Sequence, residues 1–80
     1  MAASVLLIDD DVAVLRSIGN YFERKGYEVT RELSGEAGLA TFDRLRPEVV
    51  VLDLQLPGMD GMQVLEHLQQ REAAVILLTE

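Results

Sequence analysis

The sequence predicts an α/β fold in which a parallel sheet carries helices on both faces. Four short apolar runs of strand length alternate with three segments whose apolar residues recur every three or four positions. The predicted order is therefore β-α-β-α-β-α-β, with connections of only a few residues, which is typical of a doubly wound parallel sheet with right-handed crossovers. The third run is apolar up to its last residue, Asp53, as strands covered on both faces are.

The chain opens with a predicted strand and helix. Ser4 to Ile8 is apolar and ends in three consecutive aspartates. Asp11 is a suitable N-cap for a helix that runs from Val12 to about Lys25, and Gly26 is well placed to end it. The inner face of this first helix is predicted to contain the apolar residues that recur at helical spacing: Val12, Leu15, Ile18 and Phe22.

The second strand and helix follow directly. Tyr27 to Leu33 alternates, with Tyr27, Val29 and Arg31 on one side and Glu28, Thr30 and Glu32 on the other, which predicts an exposed edge strand. Ser34 is a second candidate N-cap, and Glu36 suits the first turn of a helix because of the helix dipole. The predicted buried stripe of this helix, which ends before Pro47, is Leu39, Phe42 and Leu45.

The third strand is predicted from Glu48 to Asp53, and Pro57-Gly58 then interrupts regular structure. Asp60-Gly61 opens a third helix that runs to about Arg71. Its predicted inner residues are Met62, Leu65 and Leu68. Ala73 to Thr79 is the fourth predicted strand, and no later helix of the chain covers it.

Composition excludes several classes of protein. With 80 residues, 49% of them hydrophobic and 26% charged, the chain is predicted to form one small globular domain. Its 7 basic residues are scattered and the net charge is −7, which argues against direct binding of nucleic acid. Cysteine is absent, so disulfides and thiolate metal sites are excluded. We expect a cytoplasmic protein, because we find neither a signal peptide nor an apolar stretch near about 18 residues.

An acidic cluster is the main candidate site. If the first and third strands are neighbours, Asp9, Asp10 and Asp53 converge at the carboxyl edge of the sheet, where open α/β sheets bind ligands. A like-charge pair about 4 Å apart costs roughly 4 kcal/mol at an effective dielectric near 20, so the cluster requires protons or a hard cation. Oxygen ligands alone favour Mg²⁺, and the backbone carbonyl of Gln55 is a plausible fourth ligand.

A simpler interpretation of these residues is that Asp9-Asp10-Asp11 only caps a helix and that Asp53 only starts a turn. Capping requires one aspartate, however, and it does not require another at the end of the central strand. The metal-site hypothesis is therefore preferred.

Four segments together resemble the receiver domain of two-component response regulators. They are Ile8-Asp9-Asp10, Val51-Leu52-Asp53-Leu54, Leu56-Pro57-Gly58-Met59-Asp60-Gly61 and Val75-Ile76-Leu77-Leu78-Thr79. A lone Asp-Asp pair is a weak signal, but four such segments in this order, each at a strand end, form a specific one that covers the entire chain. The resemblance implies a flavodoxin-like sheet with the strand order 2-1-3-4.

The resemblance also implies a role for each residue of the site. Asp53 would accept a phosphoryl group from a histidine kinase, and Thr79 would be the switch hydroxyl. Asp9 and Asp10 would hold Mg²⁺ together with Asp53 and the Gln55 carbonyl. Such a chain is a regulatory phosphoacceptor, expected to serve transcription regulation, rather than an enzyme with a separate substrate.

The chain departs from the family pattern in two ways. It ends before the family's fifth strand, so residues 1–80 are expected to be the N-terminal portion of a receiver, without the strand-end lysine, the aromatic switch residue and the last two helices. Glu80 follows Thr79 where the family usually has a small residue. One alternative is therefore an interaction fragment that keeps the fold but does not take up phosphate. A remote alternative, an aspartyl-phosphate hydrolase, needs an acidic residue at position 55, where this chain has Gln55.

The incomplete sheet predicts self-association. Val75 to Leu78 would be an apolar edge strand with unpaired backbone groups. The sheet face that carries only the first helix would leave side chains of the third strand partly uncovered. Two copies could pair through the fourth strand or pack through the bare sheet face.

Overall fold

Strands and helices alternate in the computed structural model, which describes residues 2–56 and 58–78. The elements are β1 (Ser4–Ile8), α1 (Val12–Arg24), β2 (Glu28–Glu32), α2 (Gly35–Leu45), β3 (Val49–Asp53), α3 (Gly61–Gln70) and β4 (Val75–Leu78). This is the predicted order, and the boundaries agree with the predicted ones to within two residues, except that the predicted end of β4 at Thr79 lies outside the described residues.

All four strands form one parallel sheet in the order β2-β1-β3-β4, which confirms the predicted topology. β2 lies at one edge of the sheet, as its alternating pattern predicts, and β4 lies at the other. In the register between β1 and β3, Ile8 is paired with Leu52. The residues that follow, Asp9 and Asp53, therefore reach the carboxyl edge of the sheet at the same level.

The sheet is covered on both faces, because successive residues of a strand point to opposite sides. Ile8 and Leu52 belong to the larger buried cluster, in which strand residues pack against α2 and α3 through Phe42 and Leu68. Leu7 and Val51 point to the other side and pack against Leu15 of α1. The two central strands, β1 and β3, are thus enclosed between one helix and a pair of helices.

Side-chain caps begin the three described helices: two are the predicted caps Asp11 and Ser34, and the third is Asp60, where the third helix is predicted to open. The Asp11 carboxylate accepts hydrogen bonds from the backbone N–H groups of Ala13 and Val14, and Ser34 Oγ accepts one from Ala37. Asp60 forms a reciprocal capping box with Gln63. Each cap is typically worth about 1 kcal/mol, so these polar side chains set the positions at which the helices start.

The predicted inner faces are wrong at three positions. Val12, Leu45 and Met62 are 55%, 47% and 54% exposed. Val12 and Leu45 are the first and last residues of their helices, where a side chain has a neighbouring turn on only one side. Met62 lies about 120° around α3 from Leu68, since each residue turns the helix by about 100°. Val64, which the sequence analysis did not place inside, is close to Leu68 in that projection and fully buried.

The sheet face that carries only α1 is partly uncovered at Val49 of β3, as expected, but it is covered at its centre. Val51 of β3 is only 3% exposed, because Leu15 of α1 and the partly buried Leu78 of β4 pack around it. β4 itself is open, as expected for an uncovered edge strand: Ile76 is 51% and Leu77 is 41% exposed. The described helices include none that is long and apolar enough to cross a membrane.

Candidate functional site

Strand order brings three carboxylates together at the carboxyl edge of the sheet. Asp9 directly follows β1, Asp10 comes next, and Asp53 is the last residue of the neighbouring β3. Oxygen atoms from the three side chains all lie within 4.8 Å of one another. This is the convergence that the sequence predicts for a sheet in which the first and third strands are adjacent.

Backbone N–H groups hold two of these carboxylates in place. Asp9 Oδ1 accepts a hydrogen bond of 2.9 Å from the N–H of Asp11, and Asp53 Oδ1 accepts one of 3.0 Å from the N–H of Gln55. The N–H of Asp9 donates to the carbonyl of Glu32 on β2 at 3.1 Å. These hydrogen bonds anchor Asp9 to β2 and hold the Asp53 carboxylate against the loop that follows β3.

The three carboxylates differ in their exposure to solvent. Asp9 is buried, at 5% exposed, whereas Asp53 is half-buried and Asp10 is exposed. Burial raises the pKa of Asp9 above its ordinary value, and the charges of Asp53 and Asp10 raise it further, although the hydrogen bond from Asp11 opposes them. A cation bound among these oxygens would relieve this unfavourable charge density.

An open cavity of about 370 Å³ lies above the cluster. Its walls are formed by Asp9, Asp10, Asp11, Val14, Ile18, Asp53, Gln55 and Leu78. No basic side chain is among these described residues. The donors are carboxylate oxygens and, beside them, the backbone of Gln55, a set that fits a hard divalent cation such as Mg²⁺ and offers neither nitrogen nor sulfur.

The other residues of this cavity are not among the predicted site residues. Asp11 was identified only as a helix cap, but it also lines the cavity, while Val14, Ile18 and Leu78 form an apolar wall. The helical spacing of Val14 and Ile18 after Asp11 was available as a signal. Thr79, the predicted switch residue, and Glu80 lie outside the described residues.

Comparison with known proteins identifies the family. A family model described as the response regulator receiver domain matches residues 5–80. The transcriptional regulatory protein AfsQ1 of Streptomyces coelicolor is 37% identical over 75 residues, covering 94% of this chain and 33% of that protein. The sensory transduction protein RegX3 of Mycobacterium tuberculosis is 35% identical over 75 residues, with the same coverage. The chain thus spans about one third of the length of these relatives.

Solved structures agree with this result. A response regulator receiver domain from Clostridium thermocellum superposes with a TM-score of 0.90 at 33% identity, covering 96% of this chain and 64% of that one. The N-terminal domain of a receiver protein from Methanoculleus marisnigri gives a TM-score of 0.91 at 30% identity, covering 95% of this chain and 65% of that one. With its parallel sheet, its helix order and the match over residues 5–80, the chain belongs to the receiver domain family of two-component response regulators.

Proposed function

We propose that Asp53 is the phosphoacceptor of this chain and that Asp9, Asp10 and the Gln55 carbonyl serve a Mg²⁺ ion beside it. The observation that carries this proposal is the convergence of the three carboxylates above two adjacent parallel strands. Accepting a phosphoryl group on an aspartate is the role of the receiver family. The phosphoryl donor would be the phosphohistidine of a histidine kinase.

The described geometry suggests how Asp53 would act. The N–H of Gln55 orients the carboxylate by holding Oδ1, and Asp53 would attack phosphorus through its second oxygen. A P–O bond to Asp53 forms as the P–N bond to the donor histidine breaks, and the imidazole leaves with the bonding electron pair. A bound Mg²⁺ would supply positive charge for the phosphoryl oxygens. Asp9 and Asp10 would provide that ion with carboxylate ligands. The ion would in turn offset the negative charge that helps to raise the pKa of Asp9.

Two alternatives remain for the activity of this chain. The absence of a basic side chain among the described cavity residues supports an interaction fragment that takes up phosphate slowly or not at all. A phosphate hydrolase is disfavoured, because Gln55 lacks an acidic group and because the chain belongs to a regulatory family.

Labelling with acetyl phosphate tests the proposal directly. The chain, Asp53→Asn and the control Glu66→Gln are incubated with radiolabelled acetyl phosphate and Mg²⁺, and bound phosphate is counted. Glu66 is an exposed carboxylate on α3, outside the cavity. We expect label on the unmodified chain and on Glu66→Gln and none on Asp53→Asn. We also expect slower labelling than for the receiver domain of a relative such as AfsQ1. Equal label on Asp53→Asn would contradict the assignment.

The relatives named above suggest the wider role. AfsQ1 is described as a transcriptional regulatory protein, and we propose that this chain likewise receives the signal for a regulator of transcription, with a histidine kinase as partner. We place this role in the cytoplasm as part of the same proposal.

We further propose that two copies associate through β4. Within the described residues no strand pairs with the outer edge of β4, and two residues of this strand, Ile76 and Leu77, are exposed. The four residues of β4 carry no charge, although the net charge of the chain is −7. Pairing two such edges would satisfy backbone groups and bury apolar side chains together.

A further inference from the structure

Gly61, the first residue of α3, lies directly against the loop that leaves β3. It is buried, and its N–H donates a hydrogen bond of 3.1 Å to the carbonyl of Leu54. A methyl group at Gly61 would overlap the Cα, C and O atoms of Leu54, all much closer than the 3.0 Å that real Cβ contacts respect. These are backbone atoms, so a rotamer change at Leu54 does not relieve the overlap.

The position of Leu54 gives this contact its importance. Leu54 lies between Asp53 and Gln55, and planar peptide bonds join it to both. Displacing the Leu54 backbone therefore displaces the Asp53 carboxylate, the N–H of Gln55 that holds it and the Gln55 carbonyl. The other end of the contact is fixed, because the Asp60–Gln63 capping box sets the start of α3.

We propose that Gly61 is a positioning residue of the acidic site. Because Gly61 has no side chain, the start of α3 packs directly against the Leu54 backbone. This contact holds Asp53 and the Gln55 carbonyl in positions from which they bind one cation together with Asp9. The inference deepens the proposed function, since it relies on the same cation. The φ angle of Gly61 is not positive, so alanine is compatible with its backbone conformation and only the contact with Leu54 is at stake.

The chain offers a matched control in Gly19. Gly19 is also a buried helical glycine, in α1 on the opposite face of the sheet. A methyl group there would meet the guanidinium of Arg31, the far end of a flexible side chain, and no residue of the acidic site. Gly61→Ala and Gly19→Ala thus make the same chemical change, one against the site loop and one away from it.

The experiment measures the Mg²⁺ dissociation constant by titration calorimetry and the folding stability of each variant by urea denaturation. Amide NMR signals of the chain without metal are recorded as well. We expect Gly61→Ala to bind Mg²⁺ about tenfold more weakly, a loss typical of residues that orient metal ligands, and to shift the signals of Asp53 and Gln55. Gly19→Ala should bind Mg²⁺ as the unmodified chain does.

Unchanged Mg²⁺ affinity in Gly61→Ala would overturn the proposal. It would also be overturned if both variants lost Mg²⁺ affinity equally, in proportion to their loss of folding stability. If Gly61→Ala does not fold, Gln63→Ala, which releases half of the capping box, should weaken binding in the same direction, and unchanged affinity there would be equally decisive. If the unmodified chain binds no Mg²⁺, the proposed function fails, and the positioning role is then decided by the Asp53 and Gln55 signals alone.

Discussion

Arg71 at the end of α3 donates two parallel hydrogen bonds to the carboxylate of Asp43 in α2, from Nε to Oδ1 at 2.7 Å and from Nη2 to Oδ2 at 3.1 Å. A third bond runs from Arg71 Nη1 to the carbonyl of His67 in the last turn of α3. Such bidentate pairs are the most favourable form of a surface ion pair. This one joins the two helices that cover the same face of the sheet.

The Asp43–Arg71 pair predicts a pH dependence of stability. The hydrogen bond from Arg71 lowers the pKa of Asp43 below its ordinary value of 3.8. The folded state therefore holds the ionised form more strongly than the unfolded state does. This stabilisation is present above pH 3.8 and is lost as the pH falls through the lower folded pKa. Asp43→Asn should be less stable than the unmodified chain at pH 7, and the difference should shrink in acid. Urea denaturation along a pH series measures it, and a difference independent of pH would contradict the prediction.

Removing the buried charge of the acidic site should stabilise the fold. In Asp9→Asn the Oδ1 atom still accepts the N–H of Asp11, but the repulsion from Asp53 and Asp10 is gone. Without divalent cations we expect the free energy of unfolding to rise by between about 1 and about 4 kcal/mol, the range for a like-charge pair about 4 Å apart.

Mg²⁺ should stabilise the unmodified chain by about 2.7 kcal/mol at one hundred times its dissociation constant, and Asp9→Asn much less. Thermal melts at neutral pH, with and without Mg²⁺, check both statements. An equal response of the two proteins to Mg²⁺ would show that Asp9 does not serve the ion.

Two apolar residues of α3 should differ sharply in their contribution to stability. Leu68 is fully buried between α3 and the sheet, so Leu68→Ala should cost about 2–5 kcal/mol. Met62 is 54% exposed, and Met62→Ala should change stability by no more than about 0.5 kcal/mol. Urea denaturation compares the two variants, and similar losses of stability in both would contradict the prediction.

The proposed pairing of β4 strands predicts that charge on this strand prevents association. Ile76→Lys introduces a positive charge into the exposed edge strand β4. Lysine residues in edge strands commonly prevent pairing with another strand. We expect the unmodified chain to sediment as a dimer at tens of micromolar and Ile76→Lys as a monomer. Leu33→Lys is the control, because Leu33 is equally exposed at 51% but lies just after β2, at the other edge of the sheet. A monomeric unmodified chain, or a monomeric Leu33→Lys, would contradict pairing through β4.

The sequence by itself determined the order of elements, two helix caps, the start of the third helix at Asp60 and the location of Asp9 and Asp53 at strand ends. These features depend on short-range patterns: apolar runs define the strands, and Asp11, Ser34 and Asp60 precede the segments with helical periodicity. The motifs of the receiver family added the strand order. The capping partners then followed, because a cap acts within three residues of chain.

Only the tertiary structure decided which groups meet across the chain. The register between β1 and β3 places Asp9 beside Asp53, and the position of α3 brings Gly61 into contact with Leu54. The covering of Val51 by Leu15 and Leu78, and the outward position of Met62, likewise depend on how a helix lies on the sheet. Periodicity states which residues share a face, but the contacts of that face depend on the packing of elements that are distant in sequence.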